Sequence, residues 1–268
     1  MPCIRSRVSD SSAEAMNALL KHPVRITSRL FWLSGELVLA AVTFAFRCTF
    51  VPKEAALAAR ASWLQSSALR VLRIFAADVE SAGSVPSGGL LVCNHLSYLD
   101  ILALASLTPA VFVAKREVKS WPVFGWFATL AGTVFVDRER RTHVGQVTDE
   151  IQAALNQGAL VILFPEGTSS GGETVLPFKS SLLEPATRQT HSLSAGLIRY
   201  ELADGNVSEE VCYWKDMTLV PHLINLLSKR TVRAFVRFTQ LRAGSTNRKE
   251  LARQLHSEVL RLKEAAAF

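Results

Sequence analysis

The chain has 268 residues, 49% of them apolar, with 30 Lys and Arg against 23 Asp and Glu and six His. That composition excludes global disorder and lets the chain bury a substantial core, as one large domain or one domain with an appendage. The net charge of +7 is spread along the chain without a Lys/Arg-rich block, so no nucleic-acid partner is expected; the four cysteines, Cys3, Cys48, Cys93 and Cys212, show neither metal-ligand spacing nor a disulfide framework, which fits a reducing compartment.

In chain order, residues 1–27 read as an N-terminal tail, the first 22 rich in Ser and charge, and residues 28–78 as a membrane-associated helical segment. Between Arg29 and Arg47 lie seventeen residues (LFWLSGELVLAAVTFAF) with Glu36 as their only charge. As a helix they span about 25 Å, short of the roughly 30 Å hydrocarbon core, and a mid-helix carboxylate adds a few kcal/mol to insertion. A clean single span is therefore not expected. Pro52 breaks the helix. The next stretch, 55–77, sets Leu57, Leu64, Ala68, Val71, Leu72 and Phe75 on one face with Ser66, Arg70 and Arg73 opposite, the pattern of a helix lying in an anionic interface. Two core helices of a soluble domain would give the same pattern. No cleavable signal peptide is expected, since the apolar run starts late and no small-x-small pattern follows it.

Residues 79–268 read as one α/β domain. Apolar runs of strand length recur at 90–93, 111–114, 133–136, 159–164, 193–200 and 231–238, most of them separated by amphipathic stretches of helix length such as 142–156, and a last helix is expected over about 247–267.

Three stretches of this domain carry chemistry. Asn94-His95-Leu96-Ser97-Tyr98-Leu99-Asp100 directly follows the first apolar run and separates an imidazole from a carboxylate by five positions. An imidazole can take a proton from a hydroxyl, and a carboxylate on its other nitrogen fixes the tautomer and stabilises the imidazolium. Chance supplies such a spacing often, so its company must decide. The second stretch, Phe164-Pro165-Glu166-Gly167-Thr168-Ser169-Ser170-Gly171-Gly172, follows a strand and can bring backbone N–H groups against an anion or a carbonyl oxygen, at the strand ends where ligands collect in such sheets. It also matches the Gly-x-Ser-x-Gly of a serine hydrolase elbow, but two glycines and Pro177 leave no room for the helix that the elbow requires. A plain glycine-rich turn is the other reading. The third runs from Lys115-Arg116-Glu117 through Trp121-Pro122-Val123-Phe124-Gly125-Trp126 to Phe135-Val136-Asp137-Arg138, and ends with a guanidinium at a strand end, positioned to grip an anion.

In this order the three blocks resemble the glycerolipid acyltransferases of the lysophosphatidic acid acyltransferase family, over roughly residues 90–225. The resemblance implies a mixed sheet flanked by helices. It also implies transfer of a fatty acyl group from a thioester, acyl-CoA or acyl carrier protein, to the hydroxyl of a lysolipid, without metal or cofactor. His95 would be the general base, Asp100 would orient it, Glu166, Gly167 and Thr168 would bind the acceptor, and Arg138 would hold a polar or phosphate head group. The enzyme would work against the bilayer, on the cytoplasmic side of the inner membrane.

Two departures bear on the acceptor. Where lysophosphatidate-specific members carry Arg after Glu-Gly-Thr, this chain has Ser169, so either Arg138 and Lys179 hold a phosphate or the acceptor has none. The fourth family block appears only as Ser194-Ala195-Gly196-Leu197, without its proline. Thr168-Ser169-Ser170 with Val175-Leu176-Pro177-Phe178-Lys179, and Trp214-x-Asp216-Met217-x-Leu219-Val220-Pro221-His222, look like the lyso-ornithine lipid acyltransferase branch. 1-Acyl-glycerol-3-phosphate, giving phosphatidic acid, is the first expectation for the acceptor and a lyso-ornithine lipid the second. Asp216 and His222 would then be candidate site residues, although a helix-start Asp and a structural His explain them as well. A lipid esterase using Ser169 and a non-catalytic lipid-binding relative are the alternatives from other classes.

Overall fold

A computed structural model describes residues 18–137, 141–188, 190–242 and 244–265. Most of the expected tail, and Arg138, lie outside the described residues. After a turn of helix at 18–21 come α1 (Pro23–Cys48) and α2 (Lys53–Phe75), then β1 (Ala77–Ala82), β2 (Gly89–Cys93), α3 (Leu99–Leu107), β3 (Val111–Lys115), a 3-10 turn (Arg116–Ser120), α4 (Phe124–Leu130), β4 (Val134–Val136), α5 (Arg141–Asn156) and β5 (Leu160–Leu163). The remainder comprises α6 (Glu184–Thr187), β6 (Leu193–Leu202), α7 (Val207–Glu210), α8 (Leu219–Ser228), β7 (Val232–Leu241) and α9 (Arg248–Ala265). The strands form one sheet in the order β1-β7-β6-β2-β5-β3-β4, parallel except for β6 against β7. This is the mixed α/β sheet with flanking helices that the resemblance implies.

The central strands are apolar on both faces because both are covered. Alternate residues go to opposite layers. Leu91, Cys93, Leu160, Ile162, Ile198 and Tyr200 face α1, α2, α3 and α8, while Leu90, Val92, Val161, Leu163, Leu193 and Leu197 face α5 and α9. All six expected strands form, with ends within a few residues of expectation. The seventh, β1, escapes the sequence reading because Ala-Asp-Val-Glu-Ser-Ala lies at the sheet edge and is largely exposed beyond Ala77. Its polarity is what an edge strand needs.

Helices α1 and α2 form a hairpin whose inner contacts are specific. Trp63 stacks parallel on Phe127 of α4 at 6.0 Å and donates its indole N–H to the Ala40 carbonyl at 2.9 Å. Glu36 is buried and accepts from Arg70 Nε at 2.8 and 2.9 Å. Arg70 was expected on the face turned to anionic lipid; it turns instead to α1, because a carboxylate in an apolar helix needs a cation once it leaves water. At the other end, Arg25 and Arg29 donate to the carbonyls of Leu227, Ser228 and Lys229, which satisfies the open C-terminus of α8 and ties the hairpin to the domain. The outward side of α1 is apolar: Val24, Phe31, Trp32, Val38 and Phe46 are all more than 60% exposed, an arrangement opposite to that of a core helix. By length and composition α1 could cross a membrane.

Candidate active site

His95 and Asp100 sit where β2 ends and α3 begins. The ladder between β2 and β6 is carried one residue further by the Asn94 side chain, which accepts from the Ile198 N–H at 2.8 Å and donates to its carbonyl at 3.0 Å. His95 follows on a fixed backbone. Its N–H donates to Glu166 Oε1 at 3.1 Å, its carbonyl accepts from the Ser170 N–H at 3.0 Å, and its ring stacks on Phe164 at 4.2 Å. Leu96 accepts from the Tyr213 N–H at 2.8 Å. Two loops far apart in sequence thus clamp one histidine.

Asp100 lies in the first turn of α3, fully buried, where a carboxylate suits the positive end of the helix. Its Oδ2 accepts from His95 Nδ1 at 2.7 Å, from the Leu96 N–H at 2.7 Å and from the Ser97 N–H at 3.0 Å, while Oδ1 accepts from the Tyr200 hydroxyl at 2.6 Å. Four donors satisfy a charge that has no water. Burial, reinforced by the neighbouring Asp100, holds the Tyr200 phenol well above its ordinary range, so it remains a donor. With Nδ1–H spent on Asp100, the opposite nitrogen Nε2 is left as an acceptor, and the imidazole is about one-fifth exposed.

The spacing of His95 and Asp100 therefore closes into a hydrogen-bonded pair. Glu166 and Gly167 are buried beside it and Thr168 is exposed, with Gly167 at φ +74°, where glycine costs no strain. Burial pushes the Glu166 carboxyl up to about 7, against the pull of the His95 and Leu176 N–H groups, and its second oxygen, Oε2, is buried with no hydrogen-bond partner among the described residues. The segment 165–183 contains no helix, as the two glycines and Pro177 predicted. Ser169 is bound: its hydroxyl donates to the Tyr213 carbonyl. Gly171 must be glycine here, since a Cβ would lie 2.7 Å from the Trp214 ring and 2.4 Å from Ser208 Oγ. Lys263 at the end of α9 donates to the carbonyls of Gly172 and Glu173.

His222 is the structural histidine of the two readings given above. It is buried, accepts from the Tyr98 hydroxyl at 3.0 Å through Nδ1, donates to the Cys212 carbonyl at 3.1 Å through Nε2, and burial holds it down at about 4, hence neutral. Asp216 lies in a turn ahead of α8, two residues before Thr218 at the helix's N-cap position. From the third block, Arg116 pairs with Asp137 at 3.1 Å and fixes the end of β4. Sequence reasoning missed Tyr200 and Phe164 as partners of the pair. Tyr200 stands 100 positions from Asp100, and no local pattern connects them.

The fold is a three-layer α/β sandwich with a part-exposed imidazole held by a buried carboxylate at the strand ends, a geometry that can take a proton from a hydroxyl. The Acyltransferase family model matches residues 67–198. The chain is 35% identical over 212 residues to the lyso-ornithine lipid O-acyltransferase of Brucella abortus (strain 2308), covering 73% of this chain and 79% of the relative. It is 34% identical over 143 residues to the 1-acyl-sn-glycerol-3-phosphate acyltransferase of Neisseria gonorrhoeae, covering 50% and 56%. Its fold is shared with the crystal structure of the 1-acyl-sn-glycerophosphate (LPA) acyltransferase PlsC from Thermotoga maritima, at a TM-score of 0.68, 20% identity and coverage of 94% and 98%. The chain belongs to the acyltransferase family and is an acyltransferase.

Proposed function

We propose that the protein is a lysolipid O-acyltransferase of membrane lipid synthesis in which His95 is the general base. The observation that carries this reading is the 2.7 Å contact between His95 Nδ1 and the buried Asp100, which leaves Nε2 as the acceptor of a part-exposed ring. In the reaction, Nε2 takes the proton of the lysolipid hydroxyl as its oxygen attacks the thioester carbonyl. The tetrahedral adduct collapses, the C–S bond breaks, and the imidazolium returns the proton to the departing thiolate. No acyl-enzyme forms. Glu166, Gly167 and Thr168 line the acceptor's place beside His95, and Arg138 supplies an anion contact. The esterase alternative fits poorly, because the Ser169 hydroxyl is committed to a carbonyl.

Two acceptors fit. 1-Acyl-glycerol-3-phosphate is the first expectation of the motif pattern and agrees with the Neisseria relative. A lyso-ornithine lipid is favoured by Ser169, which offers no bidentate phosphate donor, and by relatives of that name from Brucella and from Pseudomonas aeruginosa, the second 30% identical and covered over 70% of its length. The apolar outer side of α1 docks the enzyme on the cytoplasmic face of the membrane, so that lipid chains remain in an apolar phase. Purified enzyme offered both lysolipids with acyl-CoA and acyl carrier protein thioesters tests acceptor and donor together. A new diacyl product from one or both lysolipids is expected. No product from either ends the proposal.

A further inference from the structure

The layer opposite the α1–α2 hairpin carries an open groove that, apart from Lys179, contains none of the residues placed around the acceptor. About 550 Å³ in volume, it runs between the 177–181 loop and α9, with Phe178, Lys179, Ser181, Lys249, Arg253 and His256 among its walls. Its lining is braced by internal contacts. The His256 ring meets Phe178 edge-on at 5.2 Å and is pinned to the Val175 carbonyl at 3.2 Å. Its rim is cationic, with Lys179, Lys249 and Arg253 all exposed, and Glu250 lies 2.9 Å from Arg253 with both side chains largely in solvent. Exposed pairs of that kind leave the guanidinium available to a better anion.

Two placements give the groove a role. It adjoins the reactive centre, because the Lys179 N–H donates to the Pro165 carbonyl at 2.9 Å and the preceding residue, Phe164, is the one stacked on His95. A narrow cleft over Phe164 and Pro165 shares Lys179 and Ser181 with it. It also lies away from the face set against the membrane in the function proposed above: α9 packs on the sheet layer opposite the core of α1 and α2. A lysolipid comes from the apolar side, whereas a thioester carrier comes from water. Both soluble carriers attach the acyl group to a pantetheine arm with a phosphate at its far end. An arm with its thioester at His95 must run back toward solvent, and this groove offers apolar walls followed by three cations.

Building on the function proposed above, we propose that the groove binds the acyl donor by the phosphate end of its phosphopantetheine arm, with Lys179, Lys249 and Arg253 meeting the phosphate. The test is the full-length double variant Lys249→Glu/Arg253→Glu, whose changes sit on the exposed side of α9, assayed with acyl-CoA, acyl carrier protein and acyl-pantetheine lacking the phosphate. For a phosphorylated donor KM rises about tenfold or more at little change in kcat, as expected for lost uniform binding, and the carrier that responds is the one used. The KM of the lysolipid and the kcat/KM with acyl-pantetheine match the parent chain. Titration of CoA followed by tryptophan fluorescence, which needs no turnover, shows the same loss if CoA is that carrier. An unchanged KM for both phosphorylated donors, or an equal loss with acyl-pantetheine, overturns the groove. A parent chain that makes no product with any donor sinks the function above instead, so the two failures are told apart.

Discussion

At the scale of single residues, the site depends on one carboxylate with four donors. His95→Ala removes the proposed base and is expected to lower kcat by about 100-fold or more, while Ser169→Ala keeps activity within a few-fold; radiolabelled acyl transfer measures both, and the reverse pattern would favour the esterase. Tyr200→Phe withdraws one donor from the buried Asp100, a loss of about 1.5–3 kcal/mol in unfolding free energy for a hydrogen bond to a charge. Glu166 supplies a pH signature. Its carboxyl holds a proton up to about 7 in the fold against 4.5 in the unfolded chain. Between those values the native state binds more protons, so its contribution to stability is complete below pH 4.5 and is lost as pH rises through about 7. Glu166→Gln should therefore gain on the parent protein as pH is raised from 4.5 to 8; denaturation midpoints that move in parallel would contradict this.

Among elements, the decisive contacts join segments that the sequence keeps apart. Gly171 lets the glycine-rich loop lie against Trp214, whose indole donates to the Ser208 carbonyl at 2.8 Å, and Ser169 and Ser170 lace the same loop to Tyr213 and His95. The α1–α2 hairpin turns on one ion pair. Arg70→Ala strands the buried Glu36 and is expected to cost about 3–5 kcal/mol in denaturation in detergent, whereas the double change Glu36→Leu/Arg70→Leu restores most of it. If the double variant is as unstable as the single one, a stranded Glu36 is not the cause of the loss.

For the whole molecule, the two faces of the sheet divide the environment. One layer carries the hairpin with its outward Phe31, Trp32 and Phe46, the other carries α5 and α9 with their polar outer sides. Replacing those three by Ser should release the protein from liposomes in co-sedimentation while turnover of detergent-dispersed lysolipid persists. Retained binding would relocate the anchor. Because Ala68, Leu72 and Phe75 of α2 belong to the domain core, substitution of outer residues is a cleaner test than deletion of the hairpin.

The local patterns were readable before any fold was known. Apolar runs of strand length marked six of the seven strands among the described residues, the spacing from Asn94 to Asp100 marked the pair that closes into a hydrogen bond, and the glycines with Pro177 ruled out an elbow helix, because each depends on neighbours within a few positions. What lies between distant segments was not readable. Tyr200 on Asp100, Phe164 on His95, Arg70 on Glu36 and the groove between the 177–181 loop and α9 come from strands and helices that meet only when the sheet is assembled. Sequence sets each residue's chemistry and its face of an element. Only packing decides which faces meet, and with them which groups share a charge, a proton or a cavity.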